Sequence, residues 1–430
     1  MLQKMADFFK DKKVLILGFG REGISTYHFI RDMFPDMPLT IADQRELTVI
    51  NDKNVTLICG ENYLSCINDF DIVMKSPGIS FCNVEVSGNT LIECQTDLFL
   101  KYAPCRKIGI TGSKGKTTTS TLTYEMLKSA GLNTCLIGNI GVPVFEELKK
   151  VTADTIAVIE MSSHQLEFTH HSPEIAILTN IYEEHLDHYK GGFSGYVTAK
   201  LNIVRYQNQN DTFIYNATQG LDGIFDLNTS RSNRVAVKSE DALPFPVNNP
   251  HLLGEHNRHD VLFAFAAAKL FGVTAEQARS AVDGFSGIAN RMENIGEYKG
   301  ITFYNDCIAT IPHSVVCAVE ALKNVDTLIF GGMDRGLEYK GFEDYLASCG
   351  INNLIGIPET GHKICTALKS CCKKNIYQAA NLDDAVKYAF AHTAKGKICL
   401  MSPAASSYNV YKNFEEKGKH YKSLVELYGK

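Results

Sequence analysis

Short apolar runs recur along the chain, each ending abruptly in a glycine, an acid or a Ser-Pro pair. The first is Lys13–Gly18 (KVLILG). A continuous run this short, stopped by glycine, predicts a strand buried on both faces. A helix-like stretch follows, then a second strand, LTIAD, ending at Asp43. Val73–Ser80 (VMKSPGIS) reads as a strand running into a Ser-Pro-Gly turn. Ile108–Thr119 (IGITGSKGKTTT) reads as strand and glycine-rich turn, with a helix over Thr119–Ala130. Apolar strands return in Asp154–Glu167, ending at Glu160, and in Glu174–Tyr189. An Ala-rich helix lies within His251–Gly272. Later come a strand ending in Asn-Asp within Gly300–Ser314, and a strand with a Gly-Gly turn at Leu328–Gly336. Ile398–Tyr421 then reads as strand, Ser-Pro turn and helix. Strands alternating with helices imply parallel, doubly wound sheets and an α/β fold.

Composition narrows the class. The 430 residues suggest two to four domains. Hydrophobic residues at 45% and charged residues at 21% leave material for several cores. A net charge of -5 gives no basic footprint for nucleic acid. The 13 cysteines are odd in number and follow no framework, and the charged start MLQKMADFFKDKK contains no secretory core. Both point to reduced thiols in a cytoplasm. Adjacent Cys371 and Cys372 read as loop or helix residues rather than a redox pair. No apolar run approaches the roughly 18 residues that a membrane span needs.

Three segments carry candidate chemistry. Gly18, Gly20 and Gly23 form Gly-x-Gly-x-x-Gly between strand and helix, with Asp43 at the end of the next strand. That is the dinucleotide-binding layout, with pyrophosphate at a helix N-terminus. Alone it favours an NAD-dependent oxidoreductase, although a UDP-sugar is also a nucleotide pyrophosphate. Gly115, Lys116 and Thr117 form the end of a phosphate loop, with Ile110 where the strict pattern has its first glycine. Backbone N–H groups there cradle phosphates, the lysine reaches the β/γ oxygens, and the threonine hydroxyl can hold Mg2+. Glu160, at a strand's C-terminal end downstream of that loop, is suited to Mg2+ directly or through water. His185 suits a magnesium or phosphate contact. A zinc pair of His185 and His188 has no supporting ligand spacing, and His170 and His171 read as solvated.

TGSKGKT, EMSSHQLE, NIYEEHLDHY and then Lys200 resemble, in order and spacing, the central domain of the Mur ligase family. HN at 256–257, FSGIANRME and the C-terminal SPA…S…Y…KNFE…G extend the resemblance over the whole chain, most closely to the glutamate-adding member. The resemblance implies three domains: a Rossmann-like UDP-precursor domain over 1–97, a central ATP-binding domain with a phosphate loop and parallel or mixed sheet over 98–288, and a Rossmann-like amino-acid domain over 289–430. It implies ATP-dependent addition of glutamate, D-glutamate by default, to UDP-N-acetylmuramoyl-L-alanine through an acyl phosphate, by a cytoplasmic monomer without nucleic-acid or membrane partners.

Site residues follow from the same resemblance. Gly112, Ser113, Lys114, Gly115, Lys116, Thr117, Thr118, Asn257, Arg291 and Asp306 contact ATP. Thr117, Glu160, His185 and Lys200 hold two Mg2+, with Lys200 carbamylated; Lys116, Lys200 and His185 are the catalytic set. A bare lysine repels Mg2+, whereas a carbamate offers hard oxygens. Gly20, Arg21, Glu22, Asp43, Gln44, Arg45, Ser76, Pro77, Gly78 and Asn139 hold the UDP-precursor. Thr310, Arg335, Ser407 and Phe414 receive the amino acid.

One departure stands out. The family's Asp-Ser-Lys-Ala-Thr-Asn is here Asp306, Cys307, Ile308, Ala309, Thr310 and Ile311, so a lysine has become Ile308. A cation near the amino-acid site is gone, which opens L-glutamate or another amino acid as alternatives. Loss of catalysis in favour of nucleotide-dependent regulation is a further one. Folylpolyglutamate-type or cyanophycin-type ligases usually lack the Rossmann-like segment ahead of the phosphate loop.

Overall fold

The structure is a computed structural model describing residues 2–47, 52–221, 231–252, 254–334, 338–369, 372–407 and 409–430. Its contacts divide it into two compact units, residues 1–285 and 286–430.

The first unit holds two parallel sheets. One contains β1 (Val14–Leu17), β2 (Leu39–Asp43), β3 (Val55–Cys59), β4 (Ile72–Lys75) and β5 (Leu91–Glu93), in the order β3-β2-β1-β4-β5. The other contains β6 (Arg106–Thr111), β7 (Thr134–Gly138), β8 (Ile156–Glu160), β9 (Ile175–Leu178), β10 (Thr212–Asn216) and β11 (Asn233–Val237), in the order β11-β10-β9-β6-β8-β7. β1, β4, β8 and β9 are buried at every position, as expected where helices cover both faces. One continuous apolar core joins the sheets, with the rings of Phe29 and Phe145 4.4 Å apart at the seam. Phe81 and Phe168 meet edge to face at 5.3 Å in a separate, smaller apolar cluster.

The second unit holds β12 (Glu293–Tyr298), β13 (Ile301–Asn305), β14 (Val325–Gly331), β15 (Asn353–Ile357), β16 (Asn375–Gln378) and β17 (Ile398–Met401). Their order is β12-β13-β17-β14-β15-β16, parallel except for the antiparallel edge strand β12. β17 lies between β13 and β14; ligands of open α/β sheets bind outside the carboxyl ends of the strands, where the strand order reverses. Among the described residues, no helix is long and apolar enough to cross a membrane.

A buried acid makes the first unit's stability depend on pH. Glu93 closes β5 at 4% exposure, and one of its carboxylate oxygens is buried without a partner. Burial, helped by nearby Asp97, pushes its pKa up to about 8. The folded chain thus holds this proton more tightly than the unfolded chain. The penalty is absent below the ordinary carboxylate range and grows as pH rises towards 8. Glu93→Gln is therefore expected to leave stability at pH 5 nearly unchanged and to raise it at pH 8.5 by on the order of 3 kcal/mol. Urea melts at the two pH values check this; an equal gain at both would assign the effect to packing.

Candidate active site

β6 ends at Thr111, and the chain turns through Gly112, Ser113, Lys114 and Gly115 into the helix Lys116–Ser129. The helix starts earlier than the pattern suggested, because Gly115 at φ +81 lets the chain turn straight into it, with Lys116 as its first residue. A Cβ at Gly115 would lie 2.3 Å from Oδ1 of Asp260, and one at Gly112 (φ +153) 1.9 Å from Oγ1 of Thr179. Only glycine fits either place. Ile110 is fully buried in β6, so the turn begins after it.

The loop is braced from behind. The Lys114 N–H donates to Asn180 Oδ1 at 2.8 Å, and Thr179 Oγ1 donates to the Lys114 carbonyl at 2.6 Å. Ser113 Oγ and the Tyr196 hydroxyl share a 2.6 Å hydrogen bond. Fixed amides at the head of a 14-residue helix form a ready cradle for anions. Thr117 and Thr118 sit half-buried in the helix's first turn. Asn257 lies half-buried in the helix Glu255–Lys269, whose Asp260 accepts from Thr119 at 3.2 Å.

Two lysines meet at this loop. Lys116 Nζ donates to the carbonyls of Gly112 (2.8 Å) and Ser113 (2.9 Å), and Lys200 Nζ donates to the same Gly112 carbonyl at 2.8 Å. Lys200 is 1% exposed on the inner face of the helix Phe193–Arg205. Burial first, and then the Lys116 charge, holds its pKa well below the ordinary lysine value, against a weaker opposing pull from Glu184. Its amine is therefore neutral and nucleophilic far more often than that of a surface lysine.

Glu160 closes β8 facing that loop's sheet neighbours. Its Oε1 accepts from Asn139 Nδ2 at 2.7 Å, while Oε2 is buried without a partner. A buried carboxylate oxygen with no donor is costly unless a cation takes it. Glu160, with the Thr117 hydroxyl among its candidates for company, thus fits a hard cation such as Mg2+. His185 has φ +53 in the left-handed region, and burial holds its pKa below the usual imidazole value. Its ring centroid lies 4.8 Å from that of His164, which sits 4.1 Å from that of His188. Burial and these two neighbours push the His164 pKa to about 3, and its Nε2 is buried without a partner. His188 faces Glu167 at 3.4 Å, and Glu167 faces Lys75 at 3.6 Å. Sequence reading missed His164, Glu167 and Lys75. Among the described residues no three His, Cys, Asp or Glu side chains gather to hold a metal ion. His171, expected to be solvated, instead pairs with the buried Asp97 at 3.1 Å; its neighbour His170 is exposed.

At the first glycine turn, Gly20 caps the helix Arg21–Met33, and a Cβ there would meet nothing within 4 Å, which leaves the backbone open to a ligand. Arg21 reaches the Gly141 carbonyl. Glu22 accepts from Gln165 Nε2 at 2.7 Å, its other oxygen lacks a partner, and burial pushes its pKa up to about 7. Asp43 accepts the Phe19 N–H (2.7 Å) and the Arg45 N–H (2.9 Å) and pairs with the Arg45 side chain at 3.0 Å. Burial alone would raise its pKa, but these donors outweigh it and hold the carboxyl below its ordinary value. Gln44 is exposed beside it. Ser76 Oγ donates to the Gly18 carbonyl at 2.9 Å, and Pro77 and Gly78 continue that turn outward.

In the second unit, Asp306 follows β13 and accepts from Ser402 Oγ (2.7 Å) and the Met292 N–H (3.1 Å). Burial pushes its pKa up to about 6. Arg291 is exposed just ahead of β12. Ile308 and Thr310 are half-buried, and Ser407 is buried with its hydroxyl unpartnered. Phe414 opens the helix Phe414–Gly429, capped by the Asn413 side chain. Arg335 lies outside the described residues. Lys417, which the sequence reading passed over, is 1% exposed, donates to the Gly331 carbonyl at 2.9 Å, and is pushed by burial to a pKa of about 8.

The chain is similar to known proteins in sequence and in fold. A family model for the Mur ligase middle domain matches residues 110–244, and one for the Mur ligase glutamate ligase domain matches residues 290–405. A relative named UDP-N-acetylmuramoylalanine--D-glutamate ligase, from Clostridium botulinum strain Hall, is 31% identical over 98% of this chain and 98% of its own. One of the same name from Halalkalibacterium halodurans is 30% identical over 98% and 99%. Among solved structures, UDP-N-acetylmuramate-alanine ligase MurC from Thermotoga maritima matches with TM-score 0.59 at 17% identity, covering 97% of this chain and 99% of that one. MurF ligase from the same organism, in complex with ADP, matches with TM-score 0.58 at 16% identity over 97% of each chain. At these identities the structural likeness speaks for the α/β fold alone.

Proposed function

Since the chain belongs to the Mur ligase family, we propose that it joins glutamate, by default the D isomer, to UDP-N-acetylmuramoyl-L-alanine in cell-wall precursor synthesis, with ATP converted to ADP and phosphate. The observation that carries this reading is the meeting of Lys116 and buried Lys200 on the Gly112 carbonyl, beside a glutamate with an unanswered oxygen. A dehydrogenase reading of the first glycine turn leaves that whole arrangement without a task.

The precursor's alanine carboxylate attacks the γ-phosphorus of ATP; the bond to the β-γ bridging oxygen breaks, and ADP leaves. The amine of glutamate then attacks the acyl carbon, phosphate departs, and the amine's surplus proton is released. Such chemistry asks for positioning and charge neutralisation more than for covalent participation. The amides of residues 112–118 and the Lys116 ammonium hold the phosphates. Asn257, Arg291 and Asp306 hold the rest of the nucleotide. Thr117 and Glu160 would hold one Mg2+, and His185 with a carbamylated Lys200 would hold a second; when bound, these ions would neutralise the phosphate oxygens. The carbamate forms when the neutral Lys200 amine bonds to the carbon of CO2 and loses a proton.

Gly20, Arg21, Glu22, Asp43, Gln44, Arg45, Ser76, Pro77, Gly78 and Asn139 take the UDP-precursor, and Thr310, Arg335, Ser407 and Phe414 take glutamate. The division into a Rossmann-like domain over 1–97, an ATP-binding domain over 98–288 and a Rossmann-like domain over 289–430 belongs to this reading, with a monomer in the cytoplasm where ATP is found. Its support for the first domain is the order β3-β2-β1-β4-β5, the arrangement of a nucleotide-binding half.

The test is phosphate release from ATP with UDP-N-acetylmuramoyl-L-alanine, comparing D-glutamate with L-glutamate. Release with D-glutamate alone is expected, and makes Ile308 a tolerated change. Release with the L isomer alone would overturn the stereochemical assignment and single out Ile308, while no release with either would overturn the reaction.

A further inference from the structure

His164 has no task in the reaction as drawn above, yet it packs towards both side chains of the second cation site. It lies in the short helix Ser163–Leu166, soon after Glu160 closes β8. A capping box fixes that turn: the Ser162 hydroxyl accepts from the Gln165 N–H at 3.2 Å, and the Gln165 side chain accepts from the Ser162 N–H at 3.0 Å. The imidazole therefore projects from a fixed point.

On one side it meets His185, with ring centroids 4.8 Å apart. His185 is exposed and has φ +53, a left-handed conformation that a residue with a bulky side chain keeps only where its surroundings impose it. Two contacts do so here. The His188 N–H donates to the His185 carbonyl at 3.0 Å, and the His164 ring closes on the His185 ring. His188 is fixed in its turn. Ser80 Oγ donates to its carbonyl at 2.6 Å, Glu167 faces its ring at 3.4 Å, and the His164 ring lies 4.1 Å away.

On the other side His164 lies parallel to Tyr189, at 9° with centroids 5.8 Å apart. Tyr189 meets Tyr196 edge to face at 5.7 Å, and Lys200 Nζ lies 4.7 Å from the centre of the Tyr196 ring. A row of touching rings thus runs from His185 to Lys200 through His164. Packed rings do not compress, so the row sets the spacing of the two side chains at its ends. The His164 Nε2 is buried without a partner, so the contribution of this ring is its flat face rather than a hydrogen bond from that atom.

We propose that His164 is a positioning residue: its ring holds the strained His185 at a set distance from Lys200, so that the two can share one divalent cation. The proposal rests on the reading of His185 and carbamylated Lys200 as ligands of the second Mg2+. A ligand on an exposed turn would otherwise have to be ordered as the ion binds, which costs affinity.

The experiment is a titration of the full chain with Mn2+ alone in bicarbonate buffer, followed by the electron paramagnetic resonance signal of the free ion. His185→Ala marks the site in question by weakening it. Binding there is expected to weaken roughly tenfold or more in His164→Ala, the usual loss when a group that orients a metal ligand is removed. His164→Leu fills the space without a flat ring; it should show the same loss, and it serves if the alanine variant does not fold. His164→Phe keeps the ring and should bind Mn2+ within about twofold of the parent, well under the roughly tenfold that 1.4 kcal/mol produces. Thermal melts show which variants fold. A merely structural His164 would lower the melting temperature and leave the Mn2+ affinity of the folded variants unchanged, which would overturn the proposal and leave His185 as a ligand. Equal loss in His164→Phe would overturn it as well, since flat packing would then not be what matters. No Mn2+ binding by the parent, or no change in His185→Ala, would overturn the ligand reading and the proposal with it.

Discussion

Lys116→Ala is expected to lower ATP turnover by about 10²–10³-fold, the usual loss when one preorganised charge donor is removed from a developing anion. Binding of the UDP-precursor should stay within about twofold, well under the roughly tenfold that 1.4 kcal/mol would produce. The argument is geometric. Lys116 opens the helix at the end of the loop, and its ammonium is held over the Gly112 and Ser113 carbonyls at 2.8 and 2.9 Å. An ammonium held so is in place before phosphate arrives, so little reorganisation is needed during the reaction. The precursor's UDP is assigned to a different glycine turn, on a different sheet, where Asp43 and Ser76 close β2 and follow β4. Phosphate release gives the turnover, and calorimetry with the precursor gives the binding. Parallel loss of both would mean that one site had been mistaken for two. Lys116→Arg should recover little, because its planar fork does not reproduce a point charge bonded to two adjacent carbonyls.

What the sequence made legible was local. Both glycine turns, the strands leading into them and Glu160 at the end of β8 each lie within about a dozen consecutive residues, and short buried strands stopped by glycine announce themselves. What stayed hidden depends on distant parts of the chain meeting. Asp260 excludes any side chain at Gly115 and bonds Thr119 from 141 residues away. Gln165 supports Glu22 across 143 residues. The tilted imidazole pairs His164–His185 and His164–His188 need distant turns to fold onto each other, so a list of five histidines could not say which would meet. Lys200 is the sharpest case. A lysine in a helix is normally solvated, and nothing about its own position in the sequence foretells 1% exposure. Only motif order marked it, and only tertiary packing explains why its amine is unusual. Lys417 shows the converse. The changed segment at Ile308 was plain in the sequence, but the buried cation elsewhere in the same unit, with its pKa near 8 and its bond to Gly331, was not.

Lys200→Ala is the second large effect, an expected fall of about 10²–10³-fold in ligation, with part of it recovered when bicarbonate or a short carboxylate such as acetate is added. As an ammonium, Lys200 would add positive charge beside Lys116, where cations must also bind. Burial and that neighbour hold its pKa well down, so the neutral amine is available to CO2. As a carbamate, it turns the same position from a cation into an oxygen ligand, which suits Mg2+. The truncated side chain leaves a space within the protein that a free carboxylate can occupy, supplying the oxygens without the tether. Lys200→Met controls for packing: it keeps the length and burial, so it should retain the thermal melting temperature, lose activity, and respond to carboxylate less than the alanine variant because the space is filled. Rescue is the discriminating readout, since a purely structural lysine would give lower stability and no response to added carboxylate. Full activity of the alanine variant without any addition would remove the carbamate from the mechanism, and would leave the shared Gly112 carbonyl as a structural contact only.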